Sequence, residues 1–171
     1  MPLAKRTLNM RPRKAAPPRI LSLSAIMQMV RKAKAAGKRV VTTNGCFDIL
    51  HVGHARYLAF AREQGDLLIV GVNSDSSVRR NKGPARPIVS ERERAELVAS
   101  LRSVDAVYIF DETTPDRWLG KLRPDIHVKG ADREMSEIVE RRTVERFGGR
   151  VIRAPYIKGK STSSILSRAR S

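Results

Sequence analysis

Residues 39–57 read RVVTTNGCFDILHVGHARY, and this stretch decides the fold. Its β-branched run at 40–43 has the composition of a strand, Asn44 and Gly45 interrupt it, and the residues from Gly53 resume an apolar pattern at helical spacing. The order is strand, tight loop, helix N-terminus. Such a junction gathers backbone N–H groups that lack intrahelical partners at the positive end of a helix dipole, and so offers a seat for phosphate. His51 and His54 stand beside that seat.

Upstream, Ser22 or Ser24 predicts the start of a helix with Ile26, Met27, Met29 and Val30 on one face and basic residues crowding its last turn before Gly37. Downstream, a helix over 53–64 closes at Gly65, and residues 66–73 (DLLIVGVN) are almost wholly apolar, as in a strand buried on both faces. That completes a βαβ unit. Residues 74–89 read as a polar loop carrying Arg79, Arg80, Lys82 and Arg86 against Asp75, leaving the carboxyl end of a strand where ligands bind in parallel sheets. Ser90 and Glu93 form a capping box for a helix reaching about Leu101. Strands at 105–110, 125–128 and 151–154 then alternate with helices, one after Thr114 and Pro115 and one over 136–147 stopped by Gly148 and Gly149. The predicted architecture is a doubly wound, five-stranded parallel sheet of Rossmann-like type with helices on both faces, its ligand at the switch point where the first strand ends.

With 171 residues, 41% of them apolar, the chain suits one domain, expected over 20–171 behind a basic arm at 1–19 that contains four prolines. The formal charge of +17 is uneven: residues 1–39 hold eleven of the 34 lysines and arginines, and the first acidic residue is Asp48. The moderate surplus left in the domain suits substrates that carry phosphates. The arm is expected to be a solvated extension, with binding to nucleic acid or an anionic surface as the alternative; an aromatic content of 5% leaves little for stacking on bases, so nucleic acid is not the expected partner. No apolar run approaches the roughly 20 residues needed to cross a bilayer, and no apolar secretory segment opens the chain. No membrane partner is expected, and the location is expected to be cytoplasmic. A lone cysteine, Cys46, excludes an internal disulfide framework.

HVGH by itself is open to zinc ligation, a surface role or a capped helix start. Zinc is disfavoured because His127 is the sole other histidine and no cysteine or carboxylate cluster completes a tetrahedron. Covalent catalysis through Cys46 is disfavoured because that residue follows an apolar strand and reads as a small buried thiol. Neither GxxxxGK[ST] nor GxGxxG follows the first strand, which argues against a P-loop NTPase and a dinucleotide-dependent oxidoreductase. Phosphoryl or nucleotidyl transfer is the chemistry best served. Its transition state spreads charge over phosphate oxygens and calls for fixed donors and cations more than for a nucleophilic side chain.

NGCFDILHVGH, KGPARP, VKGAD and GKSTSSIL, in that order over about residues 20–171, resemble the HxGH nucleotidyltransferase superfamily, and within it the adenylyltransferases that make ADP-heptose from heptose 1-phosphate. The resemblance implies that His51 and His54 contact the triphosphate of ATP and, with Lys82, stabilise charge during attack on the α-phosphorus. It implies a nucleotide cleft lined by Asn44, Gly45, Cys46, Phe47, Gly53, Lys129, Gly130 and Asp132, with Ser161, Thr162 and Ser163 holding the outer phosphates at a helix start. Asp48 and Arg86 would meet the sugar phosphate. Magnesium would be carried mainly by the phosphates, with no metal ligand from the protein, and a separate sugar kinase would supply the acceptor. Self-association into a homo-oligomer is left open. Ala131, Arg133 and Ser163 depart from the usual pattern, and Arg133 bears on sugar or base selection.

Structural readings stand beside these. Lys82 with Arg79 and Arg80 is also read as solvating a loop, Ser161 to Ser163 as a helix cap, and Asp48 or Asp132 as a cap accepting loop N–H bonds. The alternative substrates are CTP with an alcohol phosphate such as glycerol 3-phosphate, or ATP with FMN.

Overall fold

The computed structural model describes residues 19–131 and 134–155, together with Thr162, Ile165, Leu166 and Arg168. The predicted basic arm up to residue 18, and Asp132, Arg133, Ser161 and Ser163, lie outside the described residues.

Five parallel strands, β1 (Val40–Gly45), β2 (Leu67–Asn73), β3 (Ala106–Phe110), β4 (Ile126–Lys129) and β5 (Arg150–Arg153), form one sheet in the order β3-β2-β1-β4-β5. The chain moves outward from β1 to β3, then returns to the other side of β1 with β4. The switch point therefore lies between β1 and β4, where ligand crevices open in doubly wound sheets. Alternation along the strands feeds two cores. Val41, Leu68, Val70, Val72, Val107 and Val128 face Leu58 and Ala61 of helix α2 (Val52–Glu63) and Ala95 and Val98 of helix α4 (Glu91–Ala99). Val40, Ile69, Ala106, Phe110 and Val151 face helices α1 (Leu23–Ala35), α5 (Asp116–Leu122) and α6 (Arg141–Arg146), with Trp118 and Leu119 fully or almost fully buried between them. Gly71 is required there: a Cβ on it would stand 2.6 Å from Trp118 Cζ2.

The caps follow the sequence. Ser22 accepts from the Ala25 N–H at 3.3 Å to open α1, Ser90 and Glu93 make the expected capping box of α4, and Gly37 takes φ 69° after α1. Two expected regions differ. Residues 74–89 are not a loop throughout, because Ser74 accepts from the Ser77 N–H at 3.1 Å and starts helix α3 (Asp75–Lys82). Only Ser77 and Val78 of that helix are buried, so its composition carries almost no apolar periodicity. The helix expected over 136–147 is broken into a 3₁₀ turn, Met135–Glu137, and the short α6, separated by Ile138, which is extended at φ −82°, ψ 93°. Smaller shifts of one residue place β4 and β5 at Ile126–Lys129 and Arg150–Arg153.

The described chain begins as part of the fold. Ile20 bridges Val107 in parallel, the Val107 N–H donates to Arg19 O at 2.7 Å, and Leu21 N–H donates to Val107 O at 2.9 Å. Residues 19–21 thus cover the outer edge of β3.

Candidate active site

The loop after β1 is a tight backbone device. Phe47 occupies left-handed space at φ 49°, and its ring fills the room beside Gly45, where a Cβ would come within 3.1 Å of Phe47 Cε2. The buried Phe47 ring then meets His54 edge-on, with centroids 5.2 Å apart. His51 is the N-cap of α2, extended at φ −142°, and its Nδ1 accepts from the Gly53 N–H at 3.1 Å. With Nδ1 an acceptor, the neutral ring carries its proton on Nε2. The two imidazoles stack at 3.9 Å with 24° between their planes, so the HVGH spacing brings them together on the first turn of α2.

Burial, reinforced by the neighbouring His51 and by Lys82, pushes the pKa of His54 down from 6.5 to about 4, and its buried Nδ1 has no hydrogen-bond partner among the described residues. It is a neutral imidazole at physiological pH with unsatisfied polar capacity, a state suited to an incoming ligand. Lys82, at the end of α3, is exposed and lies within electrostatic reach of His54.

Asp48 makes the contacts of a cap that accepts loop N–H bonds. Its Oδ1 accepts from the Ile88 and Val89 N–H groups at 2.7 and 3.1 Å, and its Oδ2 takes Arg86 Nη1 at 2.6 Å. Burial favours the neutral acid, but these backbone bonds and Arg86 outweigh it and hold the pKa below the usual carboxylate value. Asp48 and Arg86 therefore clamp segment 86–89 against the β1–α2 loop, with each answering the other's charge. Cys46 is half-buried rather than buried, and its carbonyl is bonded by Arg94.

Arg94 is a contributor that the sequence does not advertise. Fully buried on α4, it donates through Nε to Val89 O at 2.9 Å, through Nη2 to Asn73 O and Asp75 Oδ1 at 2.8 Å each, and through Nη1 to Cys46 O. One guanidinium thus joins the loops after β1 and β2, the start of α3 and segment 86–89. In sequence it is one charged residue among several on an amphipathic helix. Tyr57 works similarly from α2, its hydroxyl bonding Thr43 and donating to Val128 O at 2.8 Å across the switch point.

On the β4 side, Lys129 Nζ donates to Asn44 Oδ1 at 3.2 Å and to Glu140 Oε1 at 2.6 Å, which brings two expected site residues into contact and adds an unexpected carboxylate. His127 is fully buried with Nδ1 2.8 Å from Thr42 Oγ1. Its Nε2 approaches Glu140 Oε1 to 3.5 Å, a close contact without hydrogen-bond alignment. Burial pushes the His127 pKa down. Burial would raise that of Glu140, but His127 and Lys129 together bring it to about 2. Gly53 is buried in the first turn of α2, Gly130 follows β4, and Thr162 is helical and half-buried. Among the described residues no group of three His, Cys, Asp or Glu is arranged to hold a metal ion.

A stacked histidine pair at a helix start that follows the central strand, with Lys82 in electrostatic reach, is the arrangement of a nucleotidyltransferase. The family model that matches residues 42–170 is described as cytidylyltransferase-like, and the chain belongs to that family. Bifunctional protein HldE of Geotalea uraniireducens is 50% identical over 152 residues, covering 89% of this chain and 31% of its own. Bifunctional protein HldE of Geobacter sulfurreducens is 46% identical over 150 residues, covering 88% and 31%. The chain thus spans about a third of the length of these curated relatives. The crystal structure of the lipopolysaccharide core biosynthesis protein from Thermoplasma volcanium superposes with a TM-score of 0.62 at 31% identity, over 71% of this chain and 100% of that one. No described helix is long and apolar enough to cross a membrane.

Proposed function

We propose that this protein transfers AMP from ATP to a sugar 1-phosphate, with heptose 1-phosphate as acceptor, giving ADP-heptose and pyrophosphate. The observation that carries the reading is the stacked His51–His54 pair on the first turn of α2, beside the switch point. An acceptor phosphate oxygen attacks the α-phosphorus in line, the bond from that phosphorus to the bridging oxygen breaks, and the electron pair leaves with pyrophosphate. The residues have to hold the triphosphate and offset charge on the leaving group, as imidazole N–H donors and Lys82 are suited to do. No side-chain nucleophile is needed. The choice of ATP and a heptose phosphate rests on the sequence motifs and on the HldE relatives.

A divalent ion fits this site only as cargo of the nucleotide. Asp48 is committed to Arg86 and two N–H groups, and Glu140 to Lys129, and among the described residues no group of three His, Cys, Asp or Glu is arranged to form a cage. Magnesium on the phosphate oxygens would neutralise charge there. A separate kinase would supply the sugar 1-phosphate, and the reaction belongs to the cytoplasm, where ATP is made available.

The test is pyrophosphate release from ATP or CTP with heptose 1-phosphate, glycerol 3-phosphate or FMN as acceptor. ATP with heptose 1-phosphate is expected to be the productive pair. Turnover confined to CTP and glycerol 3-phosphate would move the protein to the alternative substrates, and no turnover with any pair would reject nucleotidyl transfer.

A further inference from the structure

Glu140 is a carboxylate at 3% exposure, just ahead of α6, and the transfer step as described makes no use of it. Its Oε1 lies 2.6 Å from Lys129 Nζ, and that ammonium donates in turn to Asn44 Oδ1 at 3.2 Å. A lysine has donors only. The Asn44 atom facing it must therefore be the amide oxygen, and the two N–H bonds of Nδ2 are turned away from Lys129. Asn44 is the penultimate residue of strand β1, before the loop that leads to His51; it is half-buried, and its side-chain hydrogen bond among the described residues is the one its Oδ1 accepts from Lys129.

Lys129 is thus poorly placed to act as a phosphate cation. Its charge is already matched by a buried carboxylate, and a phosphate would have to displace that partner in a region of low dielectric. His127 and Lys129 keep Glu140 ionised, with its pKa brought to about 2, so the pair persists through the neutral range. We propose that Glu140 and Lys129 form a neutral strut that orients the Asn44 side-chain amide, leaving its Nδ2 hydrogens to donate to a phosphate of the bound nucleotide. Lys129 and Glu140 are then positioning residues, and Asn44 is the residue that touches substrate. The contact to phosphate rests on the nucleotidyl-transfer reading; the orientation of Asn44 does not.

Two measurements separate these parts. The first needs no activity: the Asn44 side-chain NH₂ signals in ¹H–¹⁵N spectra of the whole protein, identified by their loss in Asn44→Ala. Glu140→Gln and Lys129→Met are each expected to move those signals, and unmoved signals in both overturn the strut. The second is kinetic, with the acceptor pair that the wild-type protein turns over. Glu140→Gln is expected to lower kcat about tenfold with KM changed less than about threefold, and Asn44→Ala to leave Glu140→Gln with little further to lose. The double variant Lys129→Met/Glu140→Gln removes both charges, so its melting temperature should return towards wild type while kcat stays low. If kcat recovered together with stability, the pair would be packing alone and the proposal would fall. If the wild-type protein turned over no nucleotide, the proposed function would fail, and the spectra would still decide the orientation of Asn44.

Discussion

His54 illustrates how a single side chain joins stability to chemistry. Burial beside Phe47, His51 and Lys82 lowers its pKa from 6.5 to about 4, so the folded protein refuses a proton that the unfolded chain accepts. The sign follows directly: between pH 6.5 and about 4 the unfolded state binds more protons, and stability falls as the pH falls through that window. Buried His127 shifts in the same direction, whereas Glu140, brought from 4.5 to about 2, loses its contribution only as the pH drops below 4.5. Urea unfolding at pH 7, 6 and 5 should therefore show the wild type weakening across this range, and His54→Ala weakening less steeply, with the His127 share remaining. An unchanged slope would mean that His54 is not held neutral by the fold. The same variant is expected to lower turnover at least about a hundredfold without loss of the folded circular dichroism spectrum, since it removes a donor from the charge-bearing centre. Near-normal turnover would take His54 out of the site.

Among the elements, the strand–loop–helix unit was legible because its signals are local: a β-branched run and a helical pattern lie within 19 consecutive residues, 39–57, although β1 runs on through Asn44 and Gly45, which the sequence reads as interrupting it. Helix α3 was not, since its polar composition hides a Ser74 cap and buries only Ser77 and Val78. Arg94 and Glu140 were illegible for a different reason. Their partners come from other elements of the fold, Cys46 being 48 residues from Arg94 and Lys129 11 from Glu140, and no spacing rule encodes such meetings. The structure gives Arg94 a testable energetic role. Replacing it by Leu leaves Cys46 O, Asn73 O and Val89 O without this donor and takes from the partly exposed Asp75 its buried cationic partner. The expected loss is about 3–5 kcal/mol, the scale for breaking a buried charged network, measured by denaturant unfolding at pH 7. A loss under about 1 kcal/mol would show that the loops are held by other contacts.

At the scale of the whole molecule, the sheet's outer border is closed by residues 19–21, the first of which composition assigns to an arm. Arg19 donates through Nη1 to Val104 O at 2.9 Å and to Ala99 O and Leu101 O at 3.3 Å each, while residues 19–21 occupy both hydrogen-bonding groups of Val107. An uncovered β3 would present an edge ready to pair with another chain. These bonds gather at the end of α4 and the start of β3, whereas the histidine pair follows the carboxyl end of β1, so the edge and the site are separable. Two shortened chains test this, one starting at residue 19 and one at residue 22. The first should melt with the full-length protein. The second gives up the Arg19 contacts and the Val107 pairing, together about 2–4 kcal/mol at the usual net value of a hydrogen bond, which for a protein of this size is a fall of roughly 5–15 °C. Below its melting temperature the second chain should keep its turnover per folded molecule and show more concentration-dependent association by light scattering. Equal melting of the two chains would show that the edge segment adds no stability, and a loss of turnover at full folding would mean that the β3 border reaches the site after all.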